Sequence, residues 1–355
     1  MTLADIVVIG AGIAGLTCAK QLRRQGYSVV VVEKSRGVGG RSATRRVGGI
    51  RADHGLRYLQ PTGEKIRELI TEMEGDREWN LQQWTDTIYE WKSGEFKPSP
   101  PLPRYVAPRG MNSVGKFLAR DLEIWFNRRV TGLIPQNNNT WNLQLEVTGD
   151  GNPETPREIG AKAVVVAIPA PQALMVLEQP EAQIPSDLLE GVRSPAYDPC
   201  IAVMAGYSPD KWPQVEARTP PWQAVRFPEC DRLDWIGLDS SRRPDPSQPV
   251  FVLNSSAELA RDYLDATDLQ PPGKMLLKLA GDRLFSWLDS PEWMQVHRWR
   301  YAFCRQPLSV KCLTATTPLP IACAGDWCSQ NQIEGVLISG IAAANWIDSQ
   351  LPNSP

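Results

Sequence analysis

Residues 4–9 form a short, nearly all-apolar run closed by Gly10, the pattern of a strand buried on both faces of a parallel sheet. From residue 13 to 24 the spacing turns helical. Ile13, Leu16, Ala19 and Leu22 share a face, and Gly26 supplies a stop. A second β-branched run at 28–32 ends on Glu33. Strand, helix and strand within about 30 residues predict a βαβ unit, whose two strands lie parallel.

Further along, residues 46–59 read as extended, and 61–73 as a helix with Ile66, Leu69, Ile70 and Met73 on one stripe. Residues 84–96 predict a hairpin turning at Ser93-Gly94. The proline-dense stretch 98–108 reads as an extended connector. A helix over 112–122 and two strands over 128–145 follow. The apolar run 163–168 ends at Pro169 and reads as another parallel strand returned to the first sheet. Residues 194–254 read mostly as strands, 257–265 and 274–288 as helices, and 295–303 as a strand. The last block is a strand at 321–324, then Gly325-Asp326, then a helix over 334–347. This order predicts two interleaved domains: one from residues 1–65, 105–170 and 318–355, the other from 66–104 and 171–317.

Composition narrows the class. The 355 residues are 42% hydrophobic and 22% charged, as in soluble globular proteins. A net charge of −2 leaves no basic footprint for nucleic acid or an anionic membrane surface. No apolar run reaches the roughly 20 residues of a membrane span. The seven cysteines are scattered without a Cys-x-x-Cys pair, and there are two histidines, His54 and His297. Neither a disulfide framework nor a metal site is expected, and a reducing, cytoplasmic setting is. Thirteen tryptophans are many, and such rings line ligand cavities as well as cores.

Gly10-Ala11-Gly12-Ile13-Ala14-Gly15 matches G-x-G-x-x-G between a predicted strand and helix. In that setting the first glycine makes the tight turn and the second lets backbone approach a pyrophosphate. The third lets helix pack on sheet, and the helix N-terminus faces the phosphates. Glu33 stands about 20 residues on, at the next strand end, where a carboxylate accepts both ribose hydroxyls. This much serves NAD or FAD. Downstream, Ser35-Arg36-Gly37-Val38-Gly39-Gly40-Arg41 places a glycine pair and an arginine just after the acid, room and charge suited to a bulkier cofactor.

That run resembles the FAD-binding oxidoreductases of the amine oxidase and phytoene desaturase superfamily. The resemblance implies an extended FAD whose ribityl-phosphate end meets a late Gly-Asp, here Gly325-Asp326. The helix start near Gly335-Val336 would then aim N–H groups at the flavin edge where negative charge develops on reduction. Longer stretches resemble the renalase family. These are Asp53-His54-Gly55-Leu56-Arg57-Tyr58, Tyr105-Val106-Ala107-Pro108-Arg109-Gly110-Met111, Arg129-Val130-Thr131, Val166-Ala167-Ile168-Pro169-Ala170-Pro171, Trp299-Arg300-Tyr301 and Ala324-Gly325-Asp326. This implies an α/β fold: a Rossmann-type FAD-binding domain with p-hydroxybenzoate hydroxylase topology, beside a mixed α+β substrate domain. It also implies noncovalent FAD, contacted by Ala14, Arg41, Arg57 and Tyr58, with the Val130 backbone at the adenine. Renalases oxidise 2- or 6-dihydroNAD(P) isomers and pass the electrons to oxygen as hydrogen peroxide, so a dinucleotide or other small-molecule substrate and O2 are the implied partners.

Three departures stand out. Amine oxidases of this fold usually carry a lysine that holds a water at flavin N5, and residues 194–207 offer no counterpart. Asn254-Ser255-Ser256 stands where renalases can present a histidine before a hydroxyl pair, and Arg57 adds a charge. Pocket candidates are Arg57, Trp222, Trp235, Asn254, Trp299 and Tyr301. His54 reads as a hydrogen-bonded structural group, His297 as a satisfied imidazole, Cys328 as a small buried hydrophobe, and Arg45-Arg46 as solvated charge. Two rivals remain open: an amine oxidase or desaturase of the same superfamily, and a non-enzyme resembling the GDP-dissociation inhibitors that share this fold.

Overall fold

The computed structural model describes residues 2–152, 154–329 and 332–351. Strand β1 (Thr2–Ile9) lies parallel to β2 (Val29–Val32), with Ile6 opposite Val29 and Ile9 opposite Val32. Helix α1 (Ile13–Arg24) makes the crossover between them. On the other side of β1 runs Glu158–Val166, also parallel, followed by Ile321–Cys323. Antiparallel Arg128–Pro135 and Trp141–Val147 extend this sheet of eight strands at one end, and Glu123–Trp125 closes it beside β2. The sheet reaches back past residue 318, because Leu313–Ala315 pairs with Ile321–Cys323.

The central strands are buried on both faces, which is why they read as unbroken apolar runs. Ile6, Val8 and Val31 pack with Leu16, Ala19 and Leu22 of α1 and with Leu337, Ala343 and Ile347 of the helix Gln332–Gln350. Val7, Ile9, Val30 and Val32 pack with Trp141 and with two helices on the opposite face, Ala170–Leu177 and Ser186–Arg193. Neither of those helices was legible in the pattern. The first is started by proline within its first turn, where a missing N–H costs nothing. Each aliphatic side chain so buried stabilises the fold by about 1.5–3 kcal/mol.

The second sheet has seven strands, in the order Trp293–Gln306, Ala196–Gly206, Val250–Ser255, Leu233–Leu238, Ala224–Arg226, Tyr89–Lys92 and Glu95–Pro98. The last two form the predicted hairpin, and Ser93 and Gly94 both take positive φ (53° and 81°), as a tight two-residue turn demands. Ile201, Val203 and Ala205 point to a face sealed by Leu276, Leu277 and Ala280 of the helix Gln270–Gly281. Met204, Val250 and Val252 point the other way and meet Ile50 and Ala52 of a hairpin from the first region, Thr44–Val47 with Ile50–Asp53.

Two expectations fail locally. The stretch 98–108 is not free of structure: Arg104–Val106 pairs with Gln82–Thr85. Buried Arg104 anchors it by donating to the carbonyls of Asp86 and Leu102. The helix expected over 112–122 spans Ser113–Leu118.

Where the hairpin meets the second sheet, four charges are buried together. Arg243 Nη2 lies 2.8 Å from both Asp53 Oδ2 and Asp239 Oδ2. Arg242 Nη1 stands 3.5 Å from the same two carboxylates. Asp53 Oδ1 also accepts from the Met111 amide and Thr44 Oγ1, and the Asp53 amide donates to Asp239. Removing one member of such a group leaves the other buried charges unbalanced. Asp239→Ala should therefore lose about 3–5 kcal/mol in urea unfolding, and a loss under about 1 kcal/mol would show that the quartet does not hold the seam.

Candidate functional site

The glycine turn divides its labour as the motif predicts. Gly10 has φ +103°, and a Cβ there would stand 2.6 Å from Ile168 Cγ2. A Cβ on Gly15 would stand 2.0 Å from the Gly10 carbonyl oxygen, so α1 packs closely on the strand end. A Cβ on Gly12 meets nothing within 4 Å. That open side lies at the N-terminus of α1, which no side chain caps. Gly39 and Gly40 form the facing wall. The Gly39 amide donates to the Ala11 carbonyl at 2.8 Å, and a Cβ on Gly40 would stand 3.4 Å from Gly12 Cα. Glu33, 8% exposed, sits at the end of this groove with Oε2 accepting from the Ala11 amide and Oε1 from the Ser35 amide, each at 2.8 Å. The Arg128 amide donates to the Glu33 carbonyl, which starts the strand carrying Val130 beside the acid. Uncapped N–H groups, a side-chain-free approach and a carboxylate beyond it fit the diphosphate and ribose of FAD.

Next to the groove, Arg41 and Asp326 form a bidentate pair, with both N–O distances 2.7 Å, across 285 residues of sequence. Burial works against the charge on Arg41, but Asp326 outweighs it and raises the guanidinium's pKa. Arg41 Nη1 also donates to the Tyr301 carbonyl at 3.1 Å, and Tyr197 Oη donates to Asp326 Oδ1 at 3.1 Å. The Gly325 amide donates to Ser339 Oγ, one turn beyond Gly335 and Val336, and so ties the Gly-Asp turn to the helix Gln332–Gln350. Glu334 in that helix's first turn caps α2 (Glu64–Glu74), accepting from the Ile66 and Lys65 amides at 2.7 and 3.2 Å. A carboxylate at a helix N-terminus also complements the macrodipole.

Arg57 and Tyr58, carried by the segment that follows the hairpin, lie against the inner face of the second sheet. Arg57 Nη2 reaches Asp234 Oδ2 at 2.7 Å and its Nε reaches Asn254 Oδ1 at 2.9 Å. The guanidinium lies 4.7 Å from the Trp235 ring, and the Tyr58 ring is 5.9 Å from the same tryptophan. Trp299 donates to the His54 carbonyl and stacks on its ring at 5.4 Å, while His297 meets both edge-on.

Of the pocket candidates, Trp222 is misplaced. It is 2% exposed within the core on the outer face, beside Phe251 and Phe285, because it lies in the loop entering its strand and alternation could not tell its side. His54 is held by ring packing, and its buried Nδ1 has no hydrogen-bond partner. Arg45 is half-buried and stands near enough to both imidazoles to oppose their protonation. Cys328 is the buried hydrophobe expected, its thiol pushed up to about 12 by burial. Sequence reading missed Tyr197, Asp234 and the histidine pair. Asp234, a charge inside an otherwise apolar strand, was the one local signal among them.

Burial, each other's charge and Arg45 lower His54 to about 4, while burial and then Arg45 and Arg298 lower His297 to about 4, against an ordinary 6.5. Between those values the unfolded chain binds protons that the fold does not, so stability falls as pH drops through that window and is flat above it. Thermal denaturation should show this loss between about pH 6.5 and 4, at up to about 1.4 kcal/mol per pH unit per histidine. His297→Asn should remove roughly half of the slope; an unchanged slope would contradict the buried pair.

A family model for an NAD(P)-binding Rossmann-like domain matches residues 8–73, and one for flavin containing amine oxidoreductase matches 102–347. A putative flavin-containing monoamine oxidase, AofH, of Mycobacterium tuberculosis is 49% identical over 69 residues, 19% of this chain and 15% of its own length. Amine oxidase [flavin-containing] B of Homo sapiens is 34% identical over 100 residues, 28% of this chain and 19% of its own. The chain thus spans less than a quarter of these curated relatives. Among solved structures, putrescine oxidase bound to putrescine superposes with TM-score 0.71 at 14% identity, over 98% of this chain and 99% of that one. Cyclohexylamine oxidase from Brevibacterium oxydans gives the same values, and at such identity the likeness establishes the fold alone. The chain belongs to the flavin containing amine oxidoreductase family.

Proposed function

We propose that this oxidoreductase takes a hydride from a dihydronicotinamide dinucleotide, hydrogenated at the 2- or 6-position as renalase substrates are, and that oxygen is the final acceptor. Gly12, Ala14, Gly15 and Gly40 would admit the FAD diphosphate, Glu33 its ribose, and Arg41, Asp326 and Gly335 its flavin half; the helix begins at Gln332, ahead of the expected start, which leaves Val336 past its first turn. FAD, when bound, would supply the two-electron acceptor for the hydride, and its reoxidation by oxygen with proton uptake would give hydrogen peroxide.

One observation carries the choice of donor. The inner face of Ala196–Gly206 presents Cys200, Ala202 and Met204, with no lysine, and a cation at that face, Arg57, is fixed by Asp234 and Asn254. An amine must lose a proton as well as a hydride and calls for a base. The neighbouring imidazoles, lowered to about 4, are poor ones. A dihydropyridine loses a hydride alone and becomes an aromatic cation, so it needs positioning and exclusion of water rather than a base. Tyr58, backed by the fully buried Trp235, supplies a flat apolar wall, and Arg57 a donor for a carboxamide or phosphate oxygen. Amine oxidation is the second reading, supported by the family to which the chain belongs.

Anaerobic mixing with 6-dihydroNAD(P) should bleach the flavin absorbance in seconds, while polyamines and aromatic amines should leave it unchanged. Bleaching by amines but not by dihydronicotinamides would decide for the second reading. Gly12→Val should fold with an unchanged melting temperature, since its side chain enters open space, yet bind FAD at least about a hundredfold more weakly in fluorescence titration. Unaltered affinity would remove the groove from the cofactor site.

A further inference from the structure

The Arg41–Asp326 pair joins the two ends of the first region, but the second sheet holds it in place. Tyr197 Oη donates to Asp326 Oδ1, and the Tyr301 carbonyl accepts from Arg41, so one group from the second sheet touches each member of the pair. The rings of Tyr197 and Tyr301 meet edge-on at 5.7 Å, and the Arg41 guanidinium stands 6.0 Å from the Tyr197 ring centre. Tyr197 reaches this position through irregular pairing. Its strand shifts register against Trp293–Gln306 between Ala196 and Tyr197, and again between Asp198 and Cys200. Bulges of this kind re-aim a side chain that regular alternation would point elsewhere.

We infer that Tyr197 is a cofactor-positioning residue, acting through Asp326 from the second sheet to fix the carboxylate that meets the flavin half of FAD. A carboxylate held by Arg41 alone can pivot about that bidentate contact; a phenol donating to Oδ1 removes the freedom, fills that oxygen's second lone pair and leaves Oδ2 with one to spare. Burial, then the charge of Asp326, pushes the phenol's ionisation well above its ordinary range, so Tyr197 remains a donor wherever the protein is folded. Cofactor affinity is thereby tied to the seating of the second sheet. The inference rests on FAD lying beside Arg41 and Asp326, as proposed above.

The test is a double-mutant cycle on FAD dissociation constants, measured by flavin fluorescence with purified full-length chain stripped of and reloaded with FAD. Tyr197→Phe should weaken binding about tenfold, the range for a hydrogen bond to a charged group. In an Asp326→Asn background the same change should add less than about twofold, because the phenol acts through that carboxylate. A purely structural role would instead weaken binding equally in both backgrounds, and that result overturns the inference. If Asp326→Asn weakens binding but Tyr197→Phe does not, Tyr197 alone is excluded. If Asp326→Asn itself leaves affinity unchanged, the cofactor assignment fails and the inference with it. Should Tyr197→Phe not fold, 3-fluorotyrosine at 197, a stronger donor of nearly the same shape, should tighten binding; no change would overturn the proposal.

Discussion

Everything about the site depends on the first region and the second sheet keeping one relative position, and that position is set by the four buried charges at their seam. Asp53 belongs to the hairpin of the first region, while Asp239, Arg242 and Arg243 follow a strand of the second sheet. Desolvating each ion costs several kcal/mol, recovered only when every partner is in register. A slipped or rotated docking would take Asp53 away from both arginines and leave the two carboxylates unbridged. The apolar contact of Ile50 and Ala52 with Met204, Val250 and Val252 is less demanding, since aliphatic surfaces tolerate sliding. The quartet therefore acts as a key: it contributes geometry more than net stability, and it holds Arg57 within reach of Asp234 and Asn254.

How far the sequence reveals this follows from range. The groove around Gly10, Gly12, Gly15 and Glu33 was legible because a turn, a helix start and a strand end specify it within about 30 residues. The hairpin at Ser93-Gly94 was legible for the same reason. The Arg41–Asp326 neighbourhood could be named from the family resemblance, yet nothing local tied those residues together. Tyr197 was hidden because strand pattern assumes regular alternation, and its strand breaks that assumption on both sides of it. The two histidines stand far apart in sequence and gave no hint of sharing one buried contact. Arg104–Val106 was obscured by the prolines around it, which argue against a strand unless it is a short two-stranded ribbon.

The same geometry would suit a chemistry that needs few ionising groups. The charged side chains at the inner face are paired, Arg57 with Asp234 and Arg41 with Asp326, and the imidazoles are kept neutral by burial. A site so arranged offers dipoles and flat rings in place of proton donors and acceptors. It suits a reaction in which the cofactor carries the electrons and the protein sets orientation.

The interleaving of the first sheet bears on how the molecule is made. Its central strand appears at residues 2–9, but Ile321–Cys323 and the helix that packs on α1 emerge from the ribosome some three hundred residues later. During synthesis the early βαβ unit has one flank uncovered, and its apolar strands need shielding until those later segments have emerged. A nascent chain still lacking Asp326 and the helix Gln332–Gln350 thus offers no complete cradle to a vitamin-derived cofactor.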